Sequence, residues 1–273
     1  MAFGNTSIRI LVSVIAVPLI LALCIYGKIP FLLFVLGIAT LSYWEFSKLV
    51  KNKNAHPNIV LGILSIILII INFYFRFTDF FILLIFSSVI ILLAELFRNK
   101  ESAILNLGST FLGILYLGGF SSTILLIREY FSTSELLYSE GGYLIISIMV
   151  SIWVCDSAAF FLGTAFGKNK LFPRVSPNKS WEGAIAGFIF SVVTMIVAKA
   201  TVLDQFTLLN AIVIGIIVGV IGQLGDLVES LVKRDAKVKD SSAIIPGHGG
   251  IFDRFDSLLL TAPVVYIYLY FIK

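Results

Sequence analysis

The chain has 273 residues, 59% of them apolar, and a formal net charge of +4. A mean hydropathy of +1.02 leaves too little polar surface for a soluble domain of this length, so lipid must solvate most side chains. The 24 Phe and 10 Tyr suit helix packing in lipid and interfacial belts better than nucleic-acid stacking.

Apolar runs of about 20 residues predict nine spans near 8–26, 30–46, 57–75, 80–97, 104–127, 143–166, 181–200, 208–227 and 257–272. The first run is too long for the core of a cleavable signal peptide. The expected fold is an all-α polytopic integral membrane protein, a single membrane domain over residues 1–273. Residues 1–142 supply five scaffold spans. Residues 143–273 supply four catalytic spans with loops at 167–180 and 234–252. Cys24 and Cys155 lie inside apolar runs without metal-ligand spacing, as small buried hydrophobes do.

Loop charges set the orientation. Lys48, Lys51 and Lys53 share one connection, and Arg98 and Lys100 another. Lys168, Lys170, Arg174 and Lys179 form a third group, and Lys233, Arg234, Lys237 and Lys239 a fourth. All four connections fall on one side, which is then cytoplasmic along with the N-terminus. An odd number of spans puts Lys273 outside.

Several charges lie where lipid is expected. Asp156 is inside the sixth span, roughly 18 Å from Lys168 on a regular helix. A carboxylate at that depth must face a polar cavity or a cation, with a structural interhelical hydrogen bond as the plainer reading. Glu45 and Glu95, near the cytoplasmic ends of the second and fourth spans, are explained by snorkelling or by pairing with Lys48 and Arg98. Asp226, Glu229, Ser230 and Lys233 fall on one helical stripe. Glu229 is expected to pair with Lys233 at i,i+4, whereas Asp226 is deeper and has only Ser230 at that spacing. Asp253 and Asp256 share a face at the start of the last span, where the helix dipole favours acids. With Asp226 they make an oxygen-only set that suits Mg²⁺ over zinc.

The glycines of Gly247-His248-Gly249-Gly250 allow backbone N–H groups to approach a phosphate. His248 is either a phosphate donor, a general acid or a residue that fixes the loop. In the 167–180 loop, Ser180 is a plausible N-cap for the seventh span, with Glu182 in its first turn. That helix end, with Lys179 and Ser176, could bind an anion. The plainer reading is a basic loop that sets topology only.

Ser230-Leu231-Val232-Lys233-Arg234, Lys239-Asp240 and Pro246-Gly247-His248-Gly249-Gly250-Ile251-Phe252-Asp253-Arg254-Phe255-Asp256 together resemble the signature of phosphatidate cytidylyltransferases, the CDP-diacylglycerol synthases. Ser176-Pro177-Asn178-Lys179-Ser180-Trp181-Glu182-Gly183 resembles a second family motif, in which Thr is commoner than Ser180. Asp156-Ser157 with Phe160-Phe161-Leu162-Gly163 resembles a third. The first half matches only in hydropathy.

The resemblance implies that CTP and phosphatidic acid react to CDP-diacylglycerol and pyrophosphate, with Mg²⁺ alone or together with a second cation. It implies a catalytic set of Asp226, Lys233, Arg234, Lys239, Asp240, His248 and Asp253. Ser176, Asn178, Lys179, Arg174, Gly249, Gly250, Arg254 and Asp156 would bind substrate, and Asp226, Asp253 and Asp256 would hold metal. The location implied is the inner cell membrane, with the site facing the cytoplasm among the sixth to ninth spans. A homodimer is compatible with an enzyme of this size.

Two rival classes make different demands. An ion-coupled transporter would place Asp156 and Asp226 at the midplane between inverted repeats, whereas the polar residues here crowd one interface. Another CTP-dependent lipid kinase would share a nucleotide site but lack the 230–256 pattern.

Overall fold

Helices form at every apolar run, and several continue past it. The computed structural model describes residues 5–272, with side chains from residue 9 onward; Lys273, and the expected side of the C-terminus with it, lies outside the described residues. The helices are α1 (Asn5–Tyr26), α2 (Lys28–Lys51), α3 (Ile59–Phe75), α4 (Phe80–Leu96), α5 (Ala103–Arg128), α6 (Tyr138–Phe166), α7 (Trp181–Thr201), α8 (Leu208–Asp235) and α9 (Phe252–Ile272). One π-helical turn interrupts α5 at Ile114–Gly119 and another interrupts α8 at Val218–Gly222. Seven of these helices are long and apolar enough to cross a membrane, and α3 and α4 have 17 residues each. At 1.5 Å per residue those two rise about 26 Å, slightly less than a typical hydrocarbon core.

The differences from the expected spans lie at polar ends. Helix α2 runs on to Lys51 and α8 to Asp235, while α9 starts at Phe252. Helical hydrogen bonds are made within the segment, so a helix need not stop where its apolar run does. The loop expected at 167–180 contains a hairpin, β1 (Lys170–Phe172) paired antiparallel with β2 (Ser176–Ser180). The Val175 N–H donates to the Phe172 carbonyl at 3.1 Å. Pro173 is thereby the second residue of a turn that its fixed φ favours.

The described residues divide into two compact units. One comprises residues up to Leu23, Lys28–Leu126 and Val232–Phe255. In it, fully buried Phe252 meets Tyr116 edge-on at 5.8 Å, and Phe255 meets Phe34 at 5.9 Å. Aromatic edges of this kind supply directional packing where lipid gives little hydrophobic drive. Lys53 pairs with Asp235 at 3.0 Å, and Asn52 donates to the Ala236 carbonyl at 3.2 Å. Buried Glu95 pairs with Arg98 at 2.7 Å, as expected, and accepts from Asn106 at 2.7 Å. Arg98 also reaches the His56 carbonyl at 2.9 Å. These contacts join the α2–α3 connection to the end of α8 and to the α4–α5 connection.

The other unit comprises Cys24–Gly27, Ile127–Leu231 and the chain from Asp256. Here α6, α7 and α8 pack through small residues. The Ser151 hydroxyl donates to the Ser191 carbonyl at 3.1 Å, and Ser191 Oγ lies 3.0 Å from the Gly215 carbonyl. Helices α8 and α9 meet at Gly225, where any Cβ would lie 2.8 Å from the Asp256 carbonyl oxygen. Arg128 is completely buried and donates to the Cys24, Ile25 and Tyr138 carbonyls.

Candidate active site

The close approach at Gly225 brings three acids of the second unit together. Asp226 and Glu229, three residues apart on α8, share a face with Asp256 of α9. One carboxylate oxygen from each lies within 4.8 Å of the others. Glu229 is fully buried, while Asp226 and Asp256 are half-buried. Like charges at that separation repel by about 3 kcal/mol per pair at an effective dielectric of 20. Part of that repulsion is offset by Lys179, whose ammonium donates to Asp226 Oδ2 at 2.5 Å. The Ser230 hydroxyl donates to Asp226 Oδ1 at 3.2 Å.

The hairpin positions Lys179. Ser180 caps α7 as expected, its hydroxyl accepting from the Gly183 N–H at 3.2 Å. The Glu182 carboxylate accepts from the Asn169 side-chain amide at 2.8 Å, and the Trp181 N–H donates to the Asn169 carbonyl at 2.9 Å. The base of the hairpin is thus fastened to the first turn of α7, immediately beside Lys179. Ser176 is half-buried, and Arg174, Asn178 and Asp156 are exposed.

A second polar group lies in the first unit. Lys233 donates to Asp253 Oδ1 at 2.7 Å. Asp253 Oδ2 accepts from the Gly250 N–H at 2.8 Å, the Ser241 N–H at 3.0 Å and the Ser241 hydroxyl at 2.9 Å. The acid grouped with Asp226 and Asp256 in the second unit is Glu229; the sequence suggested Asp253 as the third ligand. Asp253 turns back toward the segment before its helix, whose N–H groups have no earlier helical turn to bond.

That segment folds on itself. The Ile245 N–H donates to the Gly249 carbonyl and the His248 N–H to the Ile245 carbonyl, both at 2.9 Å. Gly247 and Gly249 take φ values of 74° and 83°, which a side chain would disfavour. The backbone N–H groups of His248 and Gly250 are thus engaged within the protein, although the sequence suggested them for phosphate. His248 Nε2 lies 3.3 Å from Ser13 Oγ, and its Nδ1 is buried without a hydrogen-bond partner among the described residues. Arg234 donates to the Val238 carbonyl at 2.9 Å, and Arg234, Lys239, Asp240 and Arg254 are exposed.

Sequence reasoning missed two acids. Glu229 was read only as an i,i+4 partner of Lys233; it is fully buried and also lies in the acid cluster. Glu45 was read as a snorkelling residue or a partner of Lys48, yet it has no exposed surface. Its carboxylate accepts from Ser241, Ser242 and two backbone N–H groups. Lys48 instead stands over the Trp44 ring, 3.3 Å from its centroid. The faint signal for Glu45 was its place one turn deeper than Lys48.

Membrane helices carrying a carboxylate cluster beside a fixed lysine define a polytopic membrane protein with an acid-and-lysine centre suited to phosphate chemistry. The cytidylyltransferase family's sequence profile matches residues 7–272, and the chain belongs to that family. It is 31% identical to the phosphatidate cytidylyltransferase of Bacillus subtilis over 271 residues, 96% of each chain. It is 43% identical to that of Haemophilus influenzae over 136 residues, 48% of this chain and 47% of the relative. The Staphylococcus saprophyticus protein of the same name is 44% identical over 131 residues, 48% of this chain and 50% of the relative.

Proposed function

We propose that this chain transfers the cytidylyl group of CTP to phosphatidic acid, giving CDP-diacylglycerol and pyrophosphate. The observation that carries this reading is the Asp226, Glu229 and Asp256 cluster with Lys179 at its edge, in a cytidylyltransferase-family chain made of membrane helices. A phosphatidate oxygen attacks the α-phosphorus of CTP. The new P–O bond forms as the bond from the α-phosphorus to the bridging oxygen breaks, and pyrophosphate leaves with the electron pair. A phosphate monoester is already anionic near neutral pH, so no strong base is required and His248 need not act as one. The protein's part is positioning and charge neutralisation.

The acid cluster fits Mg²⁺. Its donors are all hard oxygens, and ligands about 2 Å from one ion are separated by up to about 4 Å, comparable with the observed grouping. Asp226, Glu229 and Asp256 would hold the ion, which when bound neutralises charge on phosphate oxygens. Lys179 orients Asp226 and supplies a positive charge to a phosphate. Lys233, Arg234 and Lys239 are assigned to the phosphates of CTP, following the family signature.

The catalytic face is assigned to the cytoplasm, within the inner cell membrane. The basic connections support this, as do the contacts that join those following α2, α4 and α8 within one unit. CTP then reaches the site from water, and the lipid phosphate from headgroup level. Purified protein given CTP labelled at the α-phosphate, phosphatidic acid and Mg²⁺ should yield labelled CDP-diacylglycerol. Folded protein that forms none under these conditions contradicts the assignment.

A further inference from the structure

Glu45 lies on α2, outside every motif that resembles the family, in a helix expected to serve only as scaffold. Its side chain has no exposed surface, and each oxygen has two partners on one distant segment. Oε1 accepts from the Ser242 hydroxyl at 2.5 Å and the Ile251 N–H at 3.0 Å. Oε2 accepts from the Phe252 N–H at 2.8 Å and lies 3.0 Å from Ser241 Oγ. A buried carboxylate is costly unless its lone pairs are filled, and these contacts fill them.

The segment packs directly against Glu45. A Cβ on Gly250 would lie 2.5 Å from both Glu45 oxygens and 2.0 Å from Ser241 Oγ, so the backbone is pressed against the carboxylate. Ser241 Oγ also lies 2.9 Å from Asp253 Oδ2. Ser241 Oγ therefore stands between two carboxylates with one proton to offer them, and Asp253 in turn holds the Lys233 ammonium at 2.7 Å. The order of contacts is Glu45, Ser241, Asp253, Lys233.

We infer that Glu45 is a positioning residue for the reaction: it fixes segment 241–252 and, through Ser241 and Asp253, sets the position of the Lys233 ammonium. Glu45 touches only protein, so it acts through Lys233. The inference rests on the proposed role of Lys233 toward the phosphates of CTP. It explains why an acid is embedded in a helix that bears no motif residue. A carboxylate offers acceptors only, and its two backbone N–H partners can only donate. An amide would turn an NH₂ group toward one of them.

The test is Glu45→Gln in the full-length protein in detergent. The CTP and phosphatidate dependences of the rate are measured together with hydrogen exchange of the backbone over 241–252. Faster exchange at Ile251 and Phe252 is expected, with kcat/KM for CTP lowered by up to about 100-fold, as for a small displacement of a reacting group. The KM for phosphatidate should stay within about twofold. Wild-type exchange with wild-type kinetics overturns the inference. So does an equal rise in KM for both substrates, which would mark general loosening. Should Glu45→Gln fail to fold, Ser241→Ala removes only the bridge and should give the same kinetic split; unchanged kcat/KM for CTP then overturns the inference. If the wild-type protein makes no CDP-diacylglycerol, the proposed function fails, whereas the exchange result still reports on the anchoring by Glu45.

Discussion

The Lys179 ammonium stands 2.5 Å from Asp226 Oδ2, joining the end of a short hairpin to the acid cluster on α8. The two residues are 47 positions apart in sequence; Lys179 belongs to the 176–183 motif, and Asp226 lies just before the 230–256 signature. Replacing Lys179 by Met removes the positive charge but keeps the aliphatic stem, so folding should survive. The rate of cytidylyl transfer should fall about 100-fold or more, the scale seen when one preorganised charge partner of a transition state is lost. Steady-state kinetics of the purified variant check this, and near-wild-type turnover would remove Lys179 from the mechanism.

The acid cluster changes the expected ranking of carboxylate variants. With Glu229 merely paired to Lys233, Glu229→Gln would cost less than Asp226→Asn. Its place beside Asp226 and Asp256 predicts that all three neutralising variants, Asp256→Asn included, lose activity by about 100-fold or more. Each should also require more Mg²⁺ for half-maximal rate. A magnesium titration of the residual activity measures both effects, and a Glu229→Gln enzyme with an unchanged magnesium requirement would exclude Glu229 from the ion's ligands.

Gly225 lets α9 come close enough to α8 for Asp256 to join Asp226. Gly225→Ala would place a methyl group 2.8 Å from the Asp256 carbonyl oxygen, which real contacts do not tolerate. The helices must separate, at about 1–3 kcal/mol by analogy with overpacked cores. The variant should show a lower thermal midpoint together with a weakened magnesium response. A fully active, equally stable Gly225→Ala protein would mean that the two helices do not need this approach.

Much of this architecture was legible because lipid imposes one rule on every span. An apolar run must close its own hydrogen bonds, so each run became a helix. Polar ends were harder to read, since nothing in hydropathy says whether α8 stops at Leu227 or continues to Asp235. The hairpin at 170–180 was hidden for a similar reason: its strands are too short and too polar to alternate. Within the site, local spacing put Asp226 and Ser230 on one stripe, where they are hydrogen-bonded, and made Ser180 a cap. It could not rank Glu229 against Asp253, because that choice depends on which way each acid turns relative to another helix. Glu45 was beyond reach, since its partners lie about 200 residues later and no local pattern announces them.

Arg128 offers a test of the scaffold alone. It is fully buried and its guanidinium satisfies the carbonyls of Cys24, Ile25 and Tyr138. Arg128→Met would leave those acceptors without their donor, at about 2 kcal/mol or more. The detergent-solubilised protein should melt at a lower temperature, while the surviving folded fraction keeps its KM for CTP. An unshifted melting curve would show that these contacts contribute little to stability.

Cytidylyl transfer to a lipid phosphate is assigned to the Asp226 cluster. The most direct measurement follows CDP-diacylglycerol and pyrophosphate together, from purified wild-type and Asp226→Asn proteins supplied with CTP, phosphatidic acid and Mg²⁺. The wild-type protein should form the two products in equal amounts, and the folded Asp226→Asn protein should form almost neither. Pyrophosphate without CDP-diacylglycerol, or equal product from both proteins, would contradict this assignment.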